Sequence, residues 1–189
     1  MIDQNQKDKF EKIWEKGDYR LGSTAQRMLP LILEVIPESA TINDYGCGTG
    51  RMEVELIKER PKQNVTMIDI AENALEYELI YCSNLKFILA DLTELSAVPH
   101  ADWGVCVNVL MTVQPDKLDV ILKEIRRTCD NLIMEVYDFD DSIRLGLQLT
   151  TVKKNAAEWM DILKEHWDKI EYRQSPESKQ RYIFICETK

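Results

Sequence analysis

Two hydrophobic rhythms run along this chain. From Thr41 onward, short apolar runs alternate with stretches in which apolar residues recur every three or four positions. The first rhythm suits buried strands and the second suits one face of a helix. Thr41 to Tyr45, Val65 to Ile70, Lys86 to Ala90, Trp103 to Val109 and Asn131 to Tyr137 read as strands. The fourth is almost wholly apolar, as a strand covered on both faces should be. Arg51 to Arg60, Ala71 to Tyr81 and Asp116 to Thr128 read as helices. In the last of these, Leu118, Ile121, Leu122 and Ile125 fall at i, i+3, i+4 and i+7. Ala156, Trp159, Met160, Leu163 and Trp167 form another helical stripe, whose tryptophans read as core. Ile170 to Arg173 and Tyr182 to Ile185 follow as a strand pair across a Ser-Pro-Glu-Ser turn.

Before Thr41 the pattern is helical. Phe10, Ile13 and Trp14 make one stripe, and Gly17 and Gly22 interrupt it. Ala25, Met28, Leu29, Ile32, Leu33 and Ile36 make a second, with Ser23 or Thr24 as its cap. Pro30 lies inside that pattern and is expected to kink the helix or mark a restart. Strands that alternate with helices predict a parallel sheet covered on both sides. The last two strands, joined by a turn, must be antiparallel to each other. The expected fold is α/β, a doubly wound, mostly parallel seven-stranded sheet with an antiparallel edge strand. Ligands of such sheets sit at the carboxyl ends of the strands. A length of 189 residues suits one domain, with 1–40 as a helical segment and 41–189 as the core.

Composition adds exclusions. The chain is 44% hydrophobic and 30% charged, which is ordinary globular usage. Its 24 basic and 33 acidic residues leave a net charge of −9. That balance disfavours nucleic acid, which binds basic faces, and favours a small neutral or cationic ligand. No apolar run is long enough to span a membrane, and the polar stretch Met1 to Lys12 does not read as a secretory signal. The five cysteines form no CxxC pair, so a cytoplasmic, reducing location is expected. With two histidines, His100 and His166, neither a zinc cluster nor a Ser-His-Asp arrangement is expected.

The strongest chemical signal is Asp44-Tyr45-Gly46-Cys47-Gly48-Thr49-Gly50, which follows a strand and opens a helix. Alternating glycines let the backbone turn sharply against a ligand, and the next helix points its free amides at that ligand. A dinucleotide fingerprint would be G-x-G-x-x-G. Here the spacing is G-x-G-x-G and Arg51 stands where the later glycine would be, which argues against a nicotinamide oxidoreductase. Further on, Val65 to Ile70 ends in Asp69, Leu89-Ala90-Asp91-Leu92 ends a third strand, and Asp102 to Leu110 contains Asn108.

In that order, these segments resemble the first four motifs of the class I, Rossmann-like S-adenosylmethionine-dependent methyltransferases. The resemblance covers roughly Thr41 to Val136 well. It implies that S-adenosyl-L-methionine is the cofactor and that the reaction is in-line methyl transfer needing no covalent catalyst. It also implies a cofactor site. Asp44, Gly46, Cys47, Gly48 and Gly50 belong to its loop, Asp69 takes the ribose hydroxyls with Ile70 beside it at the cofactor, Asp91 and Leu92 recognise adenine, and Asn108 borders the methionine arm. The N-terminal helices are expected to act as a lid, with Tyr19 and Arg20 touching the cofactor; a solvated turn is the other reading of that segment.

The departures from the family also inform. There is no Asn/Asp-Pro-Pro-Tyr/Phe segment and no Pro-Cys dipeptide, which removes amino-group and cytosine-C5 methylation of DNA bases. Many small-molecule members place a histidine after the fourth strand; here Leu110-Met111-Thr112-Val113 stands there. Asn108, Thr112 and Asp138 are candidates for the acceptor side. Glu135, Asp138, Asp140 and Asp141 either steer a cationic acceptor or form a solvated loop. The expected function is methylation of a small-molecule acceptor. The alternatives are methylation of nucleic acid or protein, or a non-catalytic module that binds the cofactor.

Overall fold

The computed structural model describes residues 3–15, 23–74, 84–138, 151–175 and 178–189. Two helices come first, α1 (Gln4–Glu15) and α2 (Ser23–Val35). Then follow β1 (Ile42–Tyr45), α3 (Arg51–Glu59), β2 (Val65–Asp69), β3 (Leu85–Leu89) and β4 (Ala101–Val107). The remainder is α4 (Leu118–Thr128), β5 (Cys129–Tyr137), α5 (Ala156–Leu163), β6 (Lys169–Gln174) and β7 (Arg181–Glu187). Short 3₁₀ turns stand at Glu72–Ala74, Leu110–Thr112 and Pro115–Lys117. Most of the helix expected from Ala71 to Tyr81 falls outside the described residues.

The described strands form one seven-stranded sheet in the order β3-β2-β1-β4-β5-β7-β6. Pairs among β1 to β5 are parallel, and β7 is antiparallel to both β5 and β6. The mixed edge therefore has β7 inserted between β5 and the outermost strand, β6. The order reverses at β1, where β2 lies to one side and β4 to the other, and open sheets place their ligands at such a crevice.

Alternation along each strand sends side chains to two cores. On one face Ile42, Val65, Met67, Val105, Ile133 and Ile185 meet Met28, Ile32 and Ile36 of the α2 segment and Leu56 of α3. On the other, Tyr45, Cys106, Leu132, Met134 and Phe184 meet α4 and α5. Trp159 and Trp167 lie in this second core, as their spacing indicated. Helix α2 runs unbroken through Pro30. Pro30 is on the exposed face, where the carbonyl that loses its intrahelical donor can face water. Capping is clearest at α5, where the Asn155 side chain accepts from the amides of Ala157 and Glu158 and the Glu158 side chain accepts from that of Asn155.

The N-terminal segment divides in two. Helix α2 is a covering layer of the sheet, with Met28 and Ile32 fully buried. Helix α1 lies over the carboxyl ends of the strands. The Asp3 N–H donates to Asp91 Oδ2 at 3.0 Å, Asn73 Nδ2 donates to the Glu11 carbonyl at 3.1 Å, and the Trp14 ring meets Gly48. Among the described residues no helix is long and apolar enough to cross a membrane.

Candidate functional site

The site begins in the turn from β1 to α3. Gly46, Gly48 and Gly50 have φ of 82°, 56° and 71°, the left-handed region that side chains resist. The Gly46 and Cys47 amides donate to the Ile68 carbonyl at 2.7 and 3.1 Å, which ties the loop to the end of β2. A Cβ on Gly46 would lie 2.3 Å from Val109 Cγ2, and one on Gly48 would lie 2.9 Å from the Trp14 ring. Gly50 is the N-cap of α3 and brings no side chain to cap it, and helix N-termini offer backbone amides to a ligand or to water.

Asp69, at the end of β2, accepts from the Gly48 amide at 2.9 Å through Oδ2 and from the Ala71 amide at 2.9 Å through Oδ1. A carboxylate offers about four lone-pair directions, so each oxygen keeps one for a hydroxyl donor. Burial pushes its carboxyl above the usual range, against the amides of Ala71, Gly48 and Ile70. Ile70 thus enters through its backbone. Asp91 follows β3; its Oδ1 accepts from the Thr93 amide and hydroxyl at 2.9 and 2.8 Å, while Oδ2 holds Asp3. Leu92 beside it packs against the core.

Asp44 shares its face of the sheet with Asp69 and is 3% exposed. It meets Glu53, on the inner side of α3 and 1% exposed. Burial, then Glu53, through its charge and a hydrogen bond between the two carboxyls, then Asp69 hold the Asp44 carboxyl well above its usual range. Burial also raises Glu53, opposed by that hydrogen bond. Glu53 was not singled out from the sequence. Its signal was the helix period, because it stands three positions before buried Leu56. The Cys47 thiol is pushed up by burial and by the same acids, so it is a poor nucleophile.

Beyond β4, Asn108 adopts φ 60°, a conformation asparagine tolerates better than most side chains. Its Oδ1 accepts from Arg181 Nη1 at 3.1 Å and its amide donates to the Glu135 carbonyl at 2.9 Å. Glu135 is fully buried and forms a two-pronged pair with Arg27 at 2.8 and 2.7 Å. Both sequence readings of Glu135, solvated loop or cation-steering charge, are therefore corrected: its charge is spent on tying α2 to β5. The Thr112 hydroxyl donates to the Val109 carbonyl at 2.7 Å within its own turn, which makes it part of the backbone framework. Asp138 Oδ2 accepts from the Tyr182 hydroxyl at 2.6 Å. Burial, then Asp138, raise that phenol to about 12. Tyr19, Arg20, Asp140 and Asp141 lie outside the described residues.

Two other features stand apart from this end of the sheet. A shallow cleft of about 250 Å³, lined by Thr41, Asn64, Asn84, Lys86 and His100, lies at the amino ends of the strands. Asp119, Glu165 and His166 bring ligand-type atoms within 4.8 Å of one another, a grouping the histidine count alone did not suggest. Lys123 Nζ already holds Asp119 at 2.7 Å.

Comparison with known proteins agrees with this geometry. Residues 42–131 match the family described as methyltransferase domain. No curated protein matches the chain in sequence. Among solved structures, the PH0226 protein from Pyrococcus horikoshii OT3 superposes with a TM-score of 0.70 at 19% identity, covering 88% of this chain and 90% of that one. Magnesium protoporphyrin IX methyltransferase from Synechocystis PCC 6803, with bound SAH, gives 0.66 at 16% identity, covering 87% and 82%. Human N-acetylserotonin methyltransferase in complex with SAM gives 0.64 at 15% identity and covers 88% of this chain, which spans 52% of that protein. Residues 42–131 match a methyltransferase domain, and the chain has the fold of these solved S-adenosylmethionine-dependent methyltransferases.

Proposed function

We propose that the protein moves a methyl group from S-adenosyl-L-methionine to a small-molecule acceptor. The observation that carries this reading is the set of buried acids at the glycine loop. Asp44 feels the charge of both Glu53 and Asp69, and among the described residues no lysine or arginine acts on these three acids. Buried carboxyls call for a counter-charge or for hydrogen-bond donors. A ligand with a cationic amine and ribose hydroxyls supplies both, whereas a dinucleotide brings phosphate anions instead.

In this reading Asp69 holds the ribose, with Ile70 beside it. Asp91 and the Leu92 amide face the base, the Gly46 to Gly50 loop lies against the methionine arm, and Asp44 faces its amine. Asn108, fixed by Arg181, borders the reacting end. When bound, the cofactor supplies a methyl group on a positively charged sulfur, open to displacement by a lone pair of the acceptor. The protein's task is then to align the acceptor and exclude water, which in favourable cases is worth about 7–11 kcal/mol. Asp138, with the Tyr182 phenol, is the group at this end best placed to accept a proton. A small acceptor is favoured by the net charge of −9, which repels polyanions. Two of the similar structures are named for methylation of small molecules, N-acetylserotonin and magnesium protoporphyrin IX.

Calorimetric titration with S-adenosylhomocysteine, with NAD as control, tests this reading. Micromolar binding of the first alone, about −8 kcal/mol, is expected. Asp69→Ala should weaken it by about 1–3 kcal/mol, the scale of lost charged hydrogen bonds. Binding of neither ligand would overturn the reading.

A further inference from the structure

We infer that Glu53 is a positioning residue for the cofactor: it holds Asp44 in a pair that shares one proton, and the pair releases that proton to solvent when a cationic amine docks at the glycine loop. The inference rests on the cofactor reading above.

The strand and the helix bring the two acids together. Ile42 and Asp44 occupy alternate positions of β1 and so share a face, and Ile42 packs in the same core as Leu56 of α3. Glu53 sits almost one helical turn before Leu56, on the same inner side. Both carboxyls are removed from water, at 3% and 1% exposure. Glu53 Oε2 has no hydrogen-bond partner among the described residues. That orphaned oxygen marks a place where a proton or a cation belongs.

Among the described residues no lysine or arginine acts on the pair. Asp69 at the end of β2 adds negative charge to the pair. Burial, then Asp69, Asp44 and Glu53, push up the Cys47 thiol in the loop, and burial, then Asp44, pushes up that of Cys106 in β4. Two carboxyls in contact away from water cannot both ionise without a counter-charge, so one proton stays. A docked amine is that counter-charge. It makes the second ionisation favourable, the O–H bond of the pair breaks, and the proton leaves to solvent without any covalent bond to the ligand. In Glu53→Gln the second carboxyl is gone and an amide N–H can donate to Asp44, so Asp44 ionises more readily before the ligand arrives and less proton is left to release.

The experiment is titration with S-adenosylhomocysteine in buffers of different ionisation enthalpy, from pH 6 to 8. The wild-type protein should release about one proton, and its affinity should rise up to about tenfold per pH unit. Glu53→Gln should release clearly less than the wild type and show a flatter profile. Equal release in the two proteins, or no release in the wild type, overturns the inference and leaves the cofactor reading standing. Failure of the wild type to bind overturns both. The infrared difference spectrum of the wild type gives a second measurement that needs no folded variant. It should lose the carbonyl band of a protonated carboxyl when S-adenosylhomocysteine is added, and an unchanged band overturns the inference.

Discussion

Asp44 and Glu53 also set how the ligand-free protein responds to pH. A carboxyl raised in the folded state binds protons that the unfolded chain has already lost. Between the ordinary carboxylate pKa and the raised one, the native state therefore holds more protons, and stability falls as pH rises. Burial raises Asp44, Glu53 and Asp69 alike, so their effects add in one direction. Asp44→Asn removes one of these acids. Its melting temperature should match wild type near pH 4 and exceed it increasingly toward pH 8, a gain on the order of 1 kcal/mol. A gap that does not grow with pH would mean that the acids are not held protonated. Asp44 was legible in the sequence because a strand, an acid and alternating glycines stand in one line. Glu53 was not, because an acid on a helix is ordinarily solvated, and only the packing of α3 on β1 turns it inward. Glu135 misled for a related reason: the residue that neutralises it, Arg27, is 108 positions away.

At the scale of elements, the glycine loop is the part most tightly specified. Gly46 combines a φ of 82° with a side-chain neighbour that a methyl group would strike at 2.3 Å. Gly46→Ala should lower stability by about 1–3 kcal/mol in urea unfolding, from backbone strain together with the displacement of Val109. A loss under about 0.5 kcal/mol would mean that the turn relaxes freely. The strands and the helices α3, α4 and α5 were readable from period alone, because each buries one regular face. The limits of that reading have local causes. Pro30 predicted a break, yet the exposed side of α2 accommodates it. The period of α1 and α2 was equally clear, but periodicity does not say what a stripe packs against. Met28 and Ile32 go into the sheet's core, while Trp14 goes onto Gly48.

Over the whole molecule, contacts distant in sequence hold the carboxyl end of the sheet in shape. The Arg27–Glu135 pair joins α2 to β5 with side chains 5% and 0% exposed. Arg181, from β7, approaches the same carboxylate at 3.5 Å and lies 5.1 Å from the centre of the Tyr137 ring. Removing one member of a buried pair leaves the other charged and unsolvated. Arg27→Ala should therefore cost about 3–5 kcal/mol in urea unfolding, and Glu135→Gln in that background should recover part of the loss. Equal stability of Arg27→Ala and wild type would show that Arg181 suffices. The position of β7 has a consequence for how the molecule opens. β6 hydrogen-bonds to β7 alone, and its side chains are largely exposed, whereas β7 is bonded on both sides and buried through its middle. The outermost strand can peel away and exchange its amide hydrogens while the site stays closed. The β7 amides that point to β6 are freed with it, but those that point to β5 become accessible only when the pairing that also carries Arg181, and with it Asn108, is lost. Protection from solvent therefore rises in one step within β7, from its β6-facing to its β5-facing amides, and the candidate site belongs to the slower side of that step.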